Sequence, residues 1–318
     1  MIIVTGGAGF IGSNIIFELN QKGITDILVV DNLKNASKHL NLNALTFSDY
    51  IAKEDFFQNI DQFTNIELVI HQGACSATTE TDGYYMMKNN YEFSKKIFAF
   101  CTKHNANLVY ASSASVYGDG KLGFSDTHDN YFPLNVYAYS KLLFDKYIRK
   151  ILNDKKNEIN VTGLRYFNVY GYQENHKGDM ASVPFKSYNQ YKKNQEITLF
   201  EGSDKFLRDF IFVKDVVDVV LHFMEKPTSG IFNCGTGKAR SFQDIADSIV
   251  NIYKDAEIKH VPFPTHLQGK YQEFTEAEVS TLRHSGFNKP FTALESGIQL
   301  YLEKLIDNNG YLFQIANK

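Results

Sequence analysis

Short apolar runs alternate with amphipathic stretches through the first half of the chain. Ile2–Thr5, Ile27–Asp31, Leu68–His71, Leu108–Ser112 and Val161–Phe167 read as strands with almost no polar alternation. Such strands are buried on both faces, as in a parallel sheet covered by helices on each side. Between several of them lie helical periodicities, as at Ile11, Ile15, Ile16 and Leu19. Right-handed strand–helix–strand crossovers then wind the sheet in both directions. The pattern predicts an α/β chain: a Rossmann doubly wound parallel sheet with a smaller, discontinuous α/β substrate-binding domain.

After about Asn168 the strands become irregular, and Gly, Asn, Lys and Tyr become frequent. The helical Asp215–Glu225 and the strand Ile231–Cys234 return to the earlier style. The expected division is therefore residues 1–167 plus 213–235 for the dinucleotide domain, and 168–212 plus 236–318 for the substrate domain. The stretch after Ile306, with Asn308, Asn309 and Gly310, is expected to fray.

Composition narrows the class. With 318 residues, 43% hydrophobic and 22% charged, the chain has ordinary globular make-up rather than that of a disordered one. A net charge of −3 argues against a nucleic-acid partner, which usually demands a basic excess. Cys75, Cys101 and Cys234 form no C-x-x-C pair, so neither a metal site nor a disulfide framework is expected. No basic leader precedes Ile2, and no apolar run approaches the roughly 18 residues of a membrane span. A cytoplasmic protein with reduced thiols and no membrane partner is expected.

The first strand runs into Gly6-Gly7-Ala8-Gly9-Phe10-Ile11-Gly12 and then into a helix. Glycine permits the sharp turn at Gly6, close backbone approach to a pyrophosphate at Gly9, and tight helix–sheet packing at Gly12. The helix N-terminus offers free amides and partial positive charge to phosphates. Asp31 ends the second strand, 19 positions after Gly12. Strand before, helix after and acid at that distance together indicate a dinucleotide. Asp31 suits a free ribose 2′-hydroxyl and NAD, whereas Asn32, Lys34 and Lys38 could receive the 2′-phosphate of NADP. The residues leave that choice open. Gln72-Gly73-Ala74-Cys75-Ser76 follows the strand Leu68–His71, at the sheet edge where ligands of such folds bind. His71 reads as structural.

Tyr137 and Lys141 stand at i and i+4, on one side of a helix. A phenol is a poor base at neutral pH, but a nearby ammonium and an oxidised nicotinamide would favour the phenolate. Tyr137 could then take the proton of an alcohol as hydride leaves, with Lys141 also on the nicotinamide ribose. Ser113, in the Ser112-Ser113 pair at the end of the strand read from Leu108, could hold the substrate oxygen.

The glycine loop, Ser113 before Ala114-Ser115-Val116-Tyr117-Gly118, the Tyr137/Lys141 pair, Arg165-Tyr166-Phe167-Asn168 and Arg208-Asp209-Phe210 occur in one order. Over nearly its whole length the chain resembles the extended short-chain dehydrogenases/reductases. The resemblance implies a nucleotide-sugar substrate whose diphosphate meets Asn168 and Arg208. Dehydratases of that family carry an acidic pair where Ala114 and Ser115 stand, so dehydration is disfavoured. The run Glu174–Ser182, Phe200-Glu201-Gly202-Ser203 and Gly269-Lys270-Tyr271-Gln272 are similar to the branch that inverts C6″ of an ADP-linked heptose for lipopolysaccharide core. That likeness implies NADP held by Lys38 and Lys53, with Asn89, Val169 and Lys177 also at the cofactor. It implies sugar contacts at Asp179, Lys186, Phe200, Glu201, Gly202, Ser203 and Tyr271, and a homo-oligomer, a pentamer. Asp179 and Lys186 depart from the Ser and His usual there.

Such an inversion needs two proton-handling groups. Hydride leaves and returns on the cofactor side, so the ketone must turn between the two transfers, and its oxygen then lies away from the first acid. A second donor must be within hydrogen-bond reach. Tyr137 would serve one orientation and Lys177 the other. The competing readings are another epimerase or reductase of this family, such as a UDP-sugar 4-epimerase, and a non-catalytic dinucleotide-sensing regulator.

Overall fold

The computed structural model describes residues 1–58, 63–154, 157–264 and 273–312. Its main sheet contains β1 (Ile2–Thr5), β2 (Ile27–Asp31), β3 (Asp49–Ala52), β4 (Leu68–His71), β5 (Asn107–Ser113), β6 (Val161–Tyr166) and, later in the chain, a strand at Gly230–Cys234. The remaining strands are β7 (Asn168–Tyr170), β8 (Glu196–Phe200), β9 (Leu207–Phe212), that late strand, β10, then β11 (Ala239–Ser241) and β12 (Glu257–Val261). The helices are α1 (Phe10–Gln21), α2 (Gly83–Met86), α3 (Phe93–His104), α4 (Val136–Asn153), α5 (Val183–Asn194), α6 (Val213–Glu225), α7 (Phe242–Ile252), α8 (Ser280–His284) and α9 (Leu294–Asn308).

The seven-stranded sheet has the order β10-β6-β5-β4-β1-β2-β3, and every pairing in it is parallel. This is the Rossmann-type α/β sheet that the apolar runs predicted. Alternation along the strands divides the core. Ile2 and Val4 pack with Ile15, Ile16 and Val216 of α1 and α6. Ile3 faces the other way, into Ile97, Cys101, Phe144 and Ile148 of α3 and α4. The chain moves outward from β1 through β3, then crosses back to β4. The switch lies between β1 and β4, and a crevice opens beyond their carboxyl ends.

The smaller sheets, β11-β9-β7 and β12-β8, share a third core with α5, α7 and α9, built on Tyr188, Ile197, Phe212, Ile249, Ile298 and Tyr301. Among the described residues no helix is long and apolar enough to cross a membrane.

The sequence reading misjudged three local features. It missed β3, an edge strand with only half-buried or exposed residues. It ran the strand from Val161 one residue too far and began α6 two residues late. The expected fraying after Ile306 is overturned as far as the structure is described. Asn309 adopts φ +52°, the left-handed C-cap of α9, and the Gly310 amide donates to the Lys304 carbonyl. Asn and Gly here are helix-stop signals rather than marks of disorder.

Candidate active site

The crevice at the switch point is a cavity of about 720 Å³. Its first wall is the glycine loop. A Cβ on Gly12 would lie 2.2 Å from the Gly6 carbonyl oxygen, so only glycine lets α1 start this close to the loop. Gly9 caps α1 with no side-chain hydrogen bond, and the first turn holds no acid, leaving the amides free for an anion. This cradle fits a dinucleotide pyrophosphate.

A buried relay braces the cradle. The Ser94 hydroxyl donates to the Asn90 carbonyl, so it accepts from His71 Nε2 at 2.9 Å. His71 Nδ1 therefore accepts from the Thr5 hydroxyl, at 2.5 Å, while Thr5 Oγ1 accepts from the Gly73 amide at 3.2 Å. The network assigns the Nε2–H tautomer. Burial pushes the imidazole down to about 3, helped by Lys141 and Lys53, so it stays neutral. The relay starts in a π-helical stretch, Met87–Glu92, which also turns Asn90 onto Cys75: the Cys75 amide donates to Asn90 Oδ1 at 2.8 Å. Asn89 of the same stretch accepts from Lys53 Nζ at 2.6 Å.

At the adenosine end Asp31 is not a free carboxylate. It accepts from the Ala8 amide at 2.8 Å and the Asn32 amide at 2.6 Å, and it pairs with Lys38. Lys38 Nζ also donates to the Asn32 carbonyl at 2.9 Å. Burial lowers the pKa of Lys53.

At the other end Asn135 caps α4 by accepting from the Ala138 amide at 2.9 Å, and this sets Tyr137 in the first turn. The Asp145 carboxylate on α4 accepts from the Ser112 hydroxyl at 2.9 Å, Tyr110 at 3.0 Å and Arg165 Nε at 2.9 Å. That fully buried ion pair locks the end of β5, and with it Ser113, against the helix carrying Tyr137 and Lys141. Ser113 Oγ accepts from the Ser115 hydroxyl at 2.9 Å. The expectation that Lys141 favours a Tyr137 phenolate needs correction. Burial raises the Tyr137 pKa, with the Ser113 hydroxyl opposing. Lys141 Nζ instead donates to the Ala111 carbonyl at 2.8 Å, and burial lowers its pKa to about 8 against the pull of Asp145.

Lys177 lines the cavity from the segment that follows β7. It lies on a short 3₁₀ segment, Asn175–Met180, that Gly178 breaks at φ +54°, ψ −127°. Side chains with a Cβ avoid that conformation. Lys177 Nζ sits 4.7 Å from the centre of the Phe10 ring.

The structure gathers most of the expected residues round this one cavity: Gly6 through Gly12 except Gly7 and Ala8, Asp31, Asn32, Lys38, Lys53, Gln72 through Ser76, Asn89, Ser113, Tyr137, Lys141, Val169 and Lys177. Sequence reasoning missed Asn35, Tyr85, Tyr166, Phe167 and His176, which also line it. Tyr166, Phe167 and His176 stood within quoted motifs; Asn35 and Tyr85 carry no periodic or motif signal. Apart from Ser113, the described residues of the expected sugar site do not line the cavity. Asn168, Asp179, Lys186, Phe200 and Glu201 are exposed, whereas Ser203 and Arg208 are buried. Lys186 Nζ donates to the Asp179 carbonyl, and Arg208 lies against the Phe242 ring. Tyr271 is outside the described residues. Among the described residues no group of three or more His, Cys, Asp or Glu side chains is placed to hold a metal.

The chain belongs to the NAD dependent epimerase/dehydratase family, whose pattern it matches over residues 2–235. It is 56% identical over 319 residues to the ADP-L-glycero-D-manno-heptose-6-epimerase of Brachyspira hyodysenteriae, with 98% of this chain and 100% of that one covered. Among solved structures it is similar to the ADP-L-glycero-D-manno-heptose-6-epimerase of Helicobacter pylori, with a TM-score of 0.83 and 28% identity over 96% of each chain. UDP-glucose 4-epimerase from Thermotoga maritima gives a TM-score of 0.82 at 26% identity, over 96% of this chain and 98% of that one.

Proposed function

We propose that the chain epimerises C6″ of ADP-D-glycero-D-manno-heptose to the L-glycero configuration by transient oxidation to a ketone. The observation carrying this reading is that Tyr137 and Lys177, from segments 40 positions apart, line one cavity. The near-full-length relative from Brachyspira hyodysenteriae supports the substrate assignment. A nicotinamide dinucleotide held by the glycine loop, Lys38 and Lys53 would supply the hydride acceptor for the oxidation and the hydride donor for the reduction. Ser113 holds the sugar oxygen while Tyr137 accepts its proton. Lys141, buried one helical turn from Tyr137 and lowered to about 8, is still mostly charged at neutral pH and supplies positive charge there. Lys177 donates to the ketone oxygen in its second orientation. The sugar nucleotide lies toward the second lobe, residues 168–212 and 236–318, with Asn168 and Arg208 at its diphosphate.

NADP fits better than NAD because Lys38 already neutralises Asp31 and Lys53 stands on the same cavity wall. A 2′-phosphate would meet two cations. Fluorescence titration should therefore give NADP the tighter binding, with the preference lost in Lys38→Ala. Exposed Tyr84, Phe132 and Leu134 support self-association into the expected homo-oligomer, which sedimentation measures.

The decisive assay incubates the purified protein with ADP-D-glycero-D-manno-heptose, adds no cofactor, and follows C6″ by NMR. Conversion without net change in the nicotinamide absorbance is expected. Accumulating reduced cofactor would make the protein a dehydrogenase, and inversion at C4″ of a UDP-sugar would make it a 4-epimerase.

A further inference from the structure

The segment bearing Lys177 is held from several directions by residues remote in sequence. Gln173 is fully buried in the left-handed region at φ +71°. Its amide donates to the Gly310 carbonyl at 2.8 Å. Its side chain donates to the Asn41 carbonyl at 3.0 Å and accepts from the Leu312 amide at 3.2 Å. Asn175 donates to the Asn309 carbonyl at 2.8 Å, and Asn35 to the His176 carbonyl at 3.1 Å.

Inside this clasp lies Glu174, with no exposed surface. One carboxylate oxygen accepts from the Tyr301 hydroxyl at 2.9 Å and from the Ser182 hydroxyl. The other accepts from the Ser182 amide at 2.7 Å and faces Lys177 Nζ at 3.5 Å. A buried carboxylate is stable only when paired and hydrogen-bonded. Among these partners three are neutral donors and Lys177 is the one cation. Lys177 itself is only 20% exposed, lodged between that carboxylate and the Phe10 ring at the mouth of the glycine loop. At 3.5 Å the ammonium donates to this carboxylate at the long end of hydrogen-bond distance.

We propose that Glu174 is a positioning residue for Lys177. Oriented by Tyr301 and Ser182, its carboxylate holds the ammonium along the cavity wall, at the side Tyr137 does not serve. Tyr301 thereby links helix α9, far from the sugar, to one of the two proton-transfer geometries. The inference rests on Lys177 being the second acid–base.

The test separates the two faces of the ketone. The enzyme is loaded with NADPH and mixed with the 6″-keto sugar nucleotide, and the two C6″ epimers formed in the first turnover are measured after rapid quenching. Wild type makes both. Glu174→Gln keeps an oxygen for the Ser182 amide and an amide group that the two hydroxyls can rotate to meet, but removes the charge beside Lys177. It is expected to shift the product ratio about tenfold toward the epimer formed through Tyr137. Lys177→Ala should shift it the same way and Tyr137→Phe the opposite way. NADP affinity of Glu174→Gln, whose side chain does not line the cavity, should stay within about twofold of wild type. Tyr301→Phe, which alters nothing in the cavity, should shift the ratio the same way by about threefold.

If both variants slow turnover without moving the ratio, Glu174 is only a staple of the loop and the inference is overturned. A Glu174→Gln protein that does not fold leaves Tyr301→Phe to decide on the same criterion. A wild-type enzyme that reduces the ketone to neither epimer overturns the functional reading and the inference together.

Discussion

His71 offers the sharpest test of the cofactor cradle. It is 2% exposed, sits between Thr5 and Ser94, and its pKa is pushed down to about 3. In the unfolded chain the imidazole titrates near 6.5. Because the folded value is the lower one, its stabilising contribution is complete above about pH 6.5 and is lost as pH falls toward 3. Between pH 7 and pH 5 the unfolded state takes up a proton that the native state refuses. Linkage over that interval costs about 2 kcal/mol. The figure is set by the unfolded-state value, since at pH 5 the native imidazole is still neutral. Protonation would also turn Nδ1 into a donor facing the Thr5 hydroxyl, which holds the Gly73 amide. Denaturant unfolding at pH 7, 6 and 5 is the assay, comparing wild type with His71→Gln. His176, held down to about 4 by burial and by Lys38 and Lys177, adds a slope common to both proteins. The variant should lack about 2 kcal/mol of the pH dependence whatever its stability at pH 7. Parallel curves would refute the buried neutral relay.

Two further outcomes follow from packing. Gly12→Ala should gain about 1 kcal/mol in helix propensity but lose about 1–3 kcal/mol to overpacking. Its new methyl would stand 2.2 Å from the Gly6 oxygen. The loop must move, so dinucleotide affinity, read by fluorescence titration, should fall at least about tenfold; unchanged affinity would show the cradle is not so tight. Arg165→Met should cost about 3–5 kcal/mol by leaving Asp145 buried without its cation. Urea unfolding measures this, Arg165→Met with Asp145→Asn should recover part of it, and a loss below about 1 kcal/mol would contradict the network.

What could be read from the sequence divides along physical lines. Ile2–Thr5 and Leu68–His71 announce themselves because a strand buried on both faces has no room for polar residues. Gly12 was legible because a contact of 2.2 Å admits one residue type. The pair Tyr137 and Lys141 was legible through helical spacing, yet spacing could not reveal that Lys141 turns to the Ala111 carbonyl. Asp49–Ala52 was hidden because an edge strand needs only partial burial. Glu174 and Gln173 were hidden for a different reason. Their polar pattern has no period, and their partners Tyr301 and Leu312 lie 127 and 139 positions away. Buried polar contacts made across such distances leave no local mark.

The clasp on Gln173 and Asn175 also sets an order on synthesis. Asn175 and its partner Asn309 are 134 positions apart. At about 5–20 residues per second, a ribosome needs roughly 7–27 s to travel between them. The strands and helices around the glycine loop can pack during that interval, because their partners, α6 and β10 included, emerge well before residue 309. The Lys177 segment cannot take up its final hold until the strap at 309–312 arrives. On the proposed mechanism, a chain cut short before that strap would capture the dinucleotide while lacking an ordered second proton donor, and would withdraw cofactor without turning sugar over.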